Sequence, residues 1–179
     1  MRGRKLQRLP GYDYSRSGYY YVTIKVKESE YPLCTIEGNN INLTDLGKII
    51  DKQWKWLQIQ YKYISLHEYI IMPDHFHGII EINDNIVGNG RDRSYKNLRH
   101  FGNGRDRSLR EFKIKPLPEI IGAFKTTSSK KIHELGYWHF KWQKSFYDRI
   151  MRKCELNIKR EYIKNNPMNY NKHRSLMDN

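Results

Sequence analysis

Residues 64–82 constrain the fold more than any other part of the chain. Two β-branched and aromatic runs, about 64–72 and 76–82, are separated only by the turn-forming pair Pro73-Asp74, and they predict two consecutive strands. Helical patterns lie on either side. Upstream, Leu46, Ile49, Ile50, Trp54 and Leu57 form an apolar stripe at helical spacing. Thr44 is a suitable N-cap, so a helix is expected from there to about Gln60. Downstream, Ile120, Ile121, Phe124 and Ile132 repeat the pattern over 117–136, which ends at the C-cap glycine Gly136. One strand, residues 19–27, precedes the first helix, and another lies within the aromatic stretch 137–151. A short hairpin over 33–43 turns at Gly38-Asn39-Asn40. The order strand, helix, two strands, helix, strand predicts an α+β fold. It is a ferredoxin-like split βαβ arrangement, an antiparallel sheet with helices on one face. A final helix covers about 154–166 and should stop at Pro167.

One segment breaks this pattern. Within residues 84–116 the heptapeptide Gly88–Ser94 recurs unchanged at Gly102–Ser108, and the stretch has too few apolar residues to offset its ordering entropy. It reads as a mobile basic insertion, serving either as a DNA-gripping loop or as a tolerated surface insertion. The chain carries 33 Lys and Arg against 19 Asp and Glu, a formal charge of +14 spread along its length. Such a surplus opposes compaction unless a polyanion shares the surface, and it fits nucleic acid better than membrane. No apolar run approaches the ~18 residues of a membrane helix. The basic start Met1–Lys5 is followed by no apolar signal core. Cys34 and Cys154 lack metal-ligand spacing, so both read as packing residues of a reduced, cytoplasmic chain.

Two clusters carry chemistry. In Met72-Pro73-Asp74-His75-Phe76-His77-Gly78 the histidines are two apart, so a strand presents both imidazoles on one face and packs Phe76 into the other. Two neutral imidazoles on a rigid strand are either ordinary polar residues or a half-site for a divalent metal. In Glu161-Tyr162-Ile163-Lys164-Asn165-Asn166-Pro167, Leu156 and Ile163 mark the buried line of the last helix. Asn166, four residues after Tyr162, shares its face. With 14 tyrosines in the chain, a lone one is as readily a packing residue as a nucleophile.

Taken together, Met72–His77 and the later Tyr162–Pro167 resemble the REP-associated tyrosine transposases, a family of single-tyrosine HUH transposases of insertion-sequence type. The segment Trp142–Ile150 and the pair Phe124-Lys125 also resemble the family, and the likeness spans about residues 15–170 without the repeat insertion. The resemblance implies one HUH transposase domain over 1–179. It also implies that His75 and His77 bind a divalent metal, Mg2+ or Mn2+, and that Tyr162 is the nucleophile. The third ligand position falls on Asn166, where relatives often carry Gln. The implied activity is cleavage and rejoining of single-stranded DNA, at hairpin-forming repeats, through a 5′-phosphotyrosine. The implied partner is single-stranded or hairpin DNA, and the protein would act as a monomer or homodimer.

A free phenol titrates near pH 10, so such a tyrosine needs help from the metal and from cations. Lys159, one turn before Tyr162, is either that helper or a solvated lysine. Lys125, Lys130 and Lys131 line either a phosphate-facing side of their helix or a solvated one. Tyr19, Trp138 and Tyr147 either pack or stack on unpaired bases. The other five histidines read as structural or surface residues. Two alternatives stand beside the transposase reading. One is a catalytically silent DNA-hairpin-binding protein of the same fold. The other is a zinc hydrolase, for which no Cys or His cluster supplies the further ligands.

Overall fold

The computed structural model describes residues 9–27, 30–38, 40–83, 114–168 and 170. The two heptapeptide repeats, and with them most of the expected insertion, lie outside the described residues, as do His100 and His173. Four strands form one sheet: β1 (Gly18–Lys25), β4 (Ile64–Ile71), β5 (His75–Ile82) and β6 (Tyr147–Met151), in the order β4-β5-β1-β6. Every neighbouring pair is antiparallel. The hairpin β2 (Cys34–Glu37) and β3 (Asn40–Leu43) stands as a separate two-stranded sheet. Helix α1 (Asp45–Gln60) joins it to β4, and α2 (Leu117–Glu134) joins β5 to β6. This is the expected α+β split βαβ order.

Local chemistry explains the element ends. The Thr44 hydroxyl accepts from the Gly47 amide at 3.3 Å and caps α1. Pro116 opens α2, where its missing N–H costs nothing. Gly136, at φ +95°, takes the left-handed turn that ends α2, two residues past Glu134.

The two faces of the sheet differ. Tyr20, Val22 and Ile24 of β1 and Phe76, Ile80 and Ile82 of β5 join Leu46, Ile50, Trp54 and Leu57 of α1 and Ile120, Ile121 and Phe124 of α2 in the main core. Trp54 fills the middle, its ring 4.6 Å from Phe76 and 5.3 Å from Phe124. Gly78 makes that possible, because a Cβ there would stand 2.7 Å from Trp54 Cζ2 and 2.8 Å from Phe76 Cε1. The opposite face carries a smaller core of Tyr21, Ile70, Met72, Ile79 and Met151, covered by Leu156 and Ile163 of α3 (Leu156–Lys164).

Two expectations change. The last helix is shorter than 154–166: a 3-10 turn, Lys153–Glu155, precedes α3, and the chain turns at Asn165. Pro167 does not mark the stop but lies within the next helical turn, 166–168, where its missing N–H has no intrahelical partner to lose. Of the two cysteines, Cys34 is buried, and its thiol donates to the Ile71 carbonyl at 3.2 Å. Cys154, on the 3-10 turn, is exposed and is not a packing residue. No helix among the described residues is long and apolar enough to cross a membrane.

Candidate active site

The register of β5 against β1 builds the site on the α3 side of the sheet. His77 lies opposite Thr23, and His75 opposite Lys25. The two imidazoles project together, with ring centroids 4.6 Å apart and planes at 73°. His77 is buried, 7% exposed, and its ring stacks on Tyr21 at 5.4 Å. Its Nδ1 is 2.7 Å from the Tyr21 hydroxyl and 2.9 Å from the Thr23 hydroxyl. Nδ1 of His75 lies 2.6 Å from a carboxylate oxygen of Asp74. Both Nδ1 atoms are thus engaged by protein oxygens, and Nε2 is the nitrogen each ring can offer to a metal. Hydrogen bonds at the far nitrogen orient a ligating imidazole in this way.

Electrostatics favour the same state. Burial, and then the neighbouring His75 and Lys159, push the pKa of His77 down to about 3, so at neutral pH it is an uncharged imidazole with a lone pair to donate. The hydrogen bond from His75 holds the Asp74 carboxyl below the usual carboxylate range. Burial raises the Tyr21 phenol, which keeps its proton. Among the described residues no group of three or more His, Cys, Asp and Glu side chains is placed to hold a metal. A metal on this pair would therefore take its remaining ligands from an amide, solvent or substrate oxygens.

Tyr162 comes from α3, on which Leu156 and Ile163 are buried as the spacing predicts. Its side chain is 44% exposed, and its ring lies 6.1 Å from that of His77 and 6.4 Å from that of Tyr21, roughly edge-on to both. Lys159 sits between the two tyrosines, its Nζ 4.6 Å from each ring centroid. Burial, and then the charge of Arg149, lower its pKa. Asn166 is buried at 7% exposure, just beyond the end of α3, whereas Tyr162 on the preceding turn is open.

The helix is fastened by Arg160. Its Nε pairs with Glu68 at 2.7 Å, and its Nη2 donates to Nδ1 of His67 at 2.8 Å. That bond fixes the proton of His67 on Nε2, which donates to Glu81 at 2.9 Å. His67 is therefore structural, as expected.

The structure brings His75, His77, Tyr162 and Lys159 together and places the three α2 lysines elsewhere. Helix α2 covers the other face of the sheet. Lys125 donates to the carbonyls of Gln143 and Lys144 at 2.5 and 3.1 Å, and Lys131 pairs with Glu134 at 2.9 Å. Lys130 is exposed on the same helix. Sequence reasoning missed Tyr21, Thr23 and Asp74 as partners of the histidines. Asp74 lies within the motif, but the sequence marks it only as a turn residue. The period-two placement of Tyr21 and Thr23 shows that they share a face, but the register against β5 is needed to put His77 beside them.

Among solved structures, the chain is similar to a REP-associated tyrosine transposase bound to a REP hairpin. The TM-score is 0.58 and the identity 13%, over 91% of this chain and 73% of that one. The chain has a transposase-like fold. A candidate transposase of Deinococcus radiodurans is also similar, with a TM-score of 0.46 and 13% identity over 88% of this chain and 95% of that one. An uncharacterized protein of Haemophilus influenzae is 29% identical over 167 residues, 92% of this chain and 88% of the relative. No family model matches. Within the transposase-like fold, the His-x-His strand is central in the sheet, and the tyrosine helix lies across the face left open by α1 and α2.

Proposed function

We propose that the protein is a single-tyrosine HUH transposase, a strand transferase that cleaves and rejoins single-stranded DNA at hairpin-forming repeats. The observation that carries this reading is the approach of the half-exposed Tyr162 ring to the buried His77, with Lys159 between Tyr162 and Tyr21. The REP hairpin bound by the structural neighbour supports hairpin DNA as the partner.

The donor set fits a divalent metal, Mg2+ or Mn2+. His75 and His77 would hold it through Nε2, with Asn166 as the amide ligand. When bound, it would withdraw charge from a non-bridging phosphate oxygen and orient the scissile phosphate. The residues of this chain do the rest. Tyr21, Thr23 and Asp74 fix the two imidazoles, so the site need not reorganise when the phosphate arrives. The Tyr162 oxygen attacks phosphorus. A bond from that oxygen to phosphorus forms, and the bond from phosphorus to the 3′ oxygen breaks. The phenol proton passes to solvent, and the 3′ oxygen leaves as a hydroxyl after taking a proton. The 5′-phosphotyrosine conserves the ester, so the 3′-hydroxyl of another strand can reverse the step. The ammonium of Lys159, 4.6 Å from the Tyr162 ring centroid, would stabilise negative charge developing on the phenol.

Incubation with single-stranded hairpin DNA and Mg2+ or Mn2+ should give a covalent protein–DNA adduct. Tyr162→Phe should abolish the adduct while retaining the fold and DNA affinity. Cleavage without an adduct would point to a water nucleophile and overturn the proposal. DNA binding with neither adduct nor cleavage would favour the silent hairpin-binding alternative.

A further inference from the structure

A second surface, away from Tyr162, also has the chemistry of a nucleic-acid contact. Helix α2 and the segment 138–144 enclose an open groove of about 700 Å³. Lys125, Lys130, Lys141 and Lys144 line it, and its one carboxylate, Glu134, is paired with Lys131. Trp138 stands on the rim at 68% exposure, unusual for the largest apolar side chain, with the His133 ring 6.3 Å away and tilted by 33°. Exposed indole beside several ammonium groups suits an unpaired base flanked by phosphates. A membrane surface would need a broader apolar face, and a duplex would keep its bases from the indole.

The groove is continuous with the sheet that carries the histidines. The Lys27 amide donates to the Lys141 carbonyl at 2.7 Å, and the Gln143 amide to the Lys25 carbonyl at 2.8 Å. Lys25 is the register partner of His75. From the groove the chain runs on to Tyr147, which is 49% exposed and pairs with Thr23 on the tyrosine side. A strand leaving the neighbourhood of Tyr162 thus has a path around this edge of the sheet.

We propose that this groove binds single-stranded DNA, with one unpaired base stacked on Trp138 and adjacent phosphates on Lys130, Lys141 and Lys144. The choice of DNA over RNA rests on the function proposed above, whereas the groove itself rests on Trp138 and the lysines.

The test titrates the full chain into end-labelled oligothymidylate in EDTA, reading affinity from the anisotropy of the label, and follows tryptophan emission and its shielding from acrylamide in the parent. Of the four tryptophans, Trp54 and Trp142 are buried and Trp56 is partly buried against the main core, so Trp138 is the most accessible indole, and Trp56→Phe removes the remaining accessible background. Shielding is expected with the single strand and not with blunt duplex. Trp138→Ala should weaken binding by roughly five- to a hundredfold, the range set by one base–aromatic stack, and Trp138→Phe should restore most of it. Lys144→Gln should reduce the salt slope by about 0.7, the value for one phosphate contact on a single strand. Leu135→Ala, an exposed apolar residue outside the groove lining, serves as the control that should bind as the parent does. Unchanged affinity of Trp138→Ala, equal shielding by duplex, or tighter binding of oligouridylate would overturn the proposal. Shielding retained in a protein that never forms an adduct would remove the tyrosine mechanism and leave the groove standing.

Discussion

His77 should make folding stability depend on acid in a way that one substitution removes. The ring is 7% exposed, and burial, followed by the charges of His75 and Lys159, lowers its pKa from 6.5 to about 3. A base whose pKa falls on folding binds fewer protons in the native state than in the unfolded one. Its contribution is therefore fully present above the unfolded pKa and is lost as pH falls toward the folded one. For these two values the loss between pH 7 and pH 5 is about 2 kcal/mol, rising to roughly 4–5 kcal/mol near pH 3. Urea unfolding in EDTA, for the parent and His77→Gln at pH 7 and pH 5, isolates the effect, because other acid-sensitive groups are common to both. The parent should lose about 2 kcal/mol more than the variant over that interval. The His77 ring proton in NMR should show no inflection between pH 7 and pH 5. Equal acid losses in the two proteins, or an ordinary histidine inflection, would refute the claim that the site holds a neutral imidazole.

Two further substitutions probe the frame around the site. Gly78→Ala places a methyl 2.7 Å from Trp54 Cζ2, so it should cost about 1–3 kcal/mol by overpacking, seen as a lower Tm and altered near-UV circular dichroism. Arg160→Ala removes the link from α3 to Glu68 and His67; hydrogen exchange of the α3 amides should quicken, and adduct formation should slow more than DNA affinity falls.

The fold was legible because its elements announce themselves by different periods. Val22 and Ile24 alternate with Tyr21 and Thr23, whereas Leu46, Ile50, Trp54 and Leu57 recur at helical spacing, and each set meets the core that its period requires. The histidine pair was legible for the same reason, since a spacing of two on a strand can only mean one face. What holds the histidines was not. Tyr21 and Thr23 are 56 and 54 residues from His77 in sequence, and a register shift of one would have turned them into the core. The α2 lysines show the converse limit: helical spacing says that Lys125 and its neighbours share a helix, but which side of the sheet that helix covers depends on the crossover.

The unlike faces of the sheet also divide the work. The face under α1 and α2 is a continuous core with Trp54 at its centre, and it makes β1 and β5 a rigid platform for the histidines. The other face is covered by α3, nine residues long. A helix of that length has little stability of its own in water and must be held by packing. Leu156 and Ile163 supply apolar anchors, and Arg160 supplies the polar one. Tyr162 therefore rides on an element with few attachments, while its partners His75 and His77 ride on the most heavily paired part of the sheet. On the mechanism proposed above, a tyrosine that must approach a phosphate, and later release it to a second strand, would benefit from that asymmetry: the proposed ligands would stay fixed while the tyrosine adjusts.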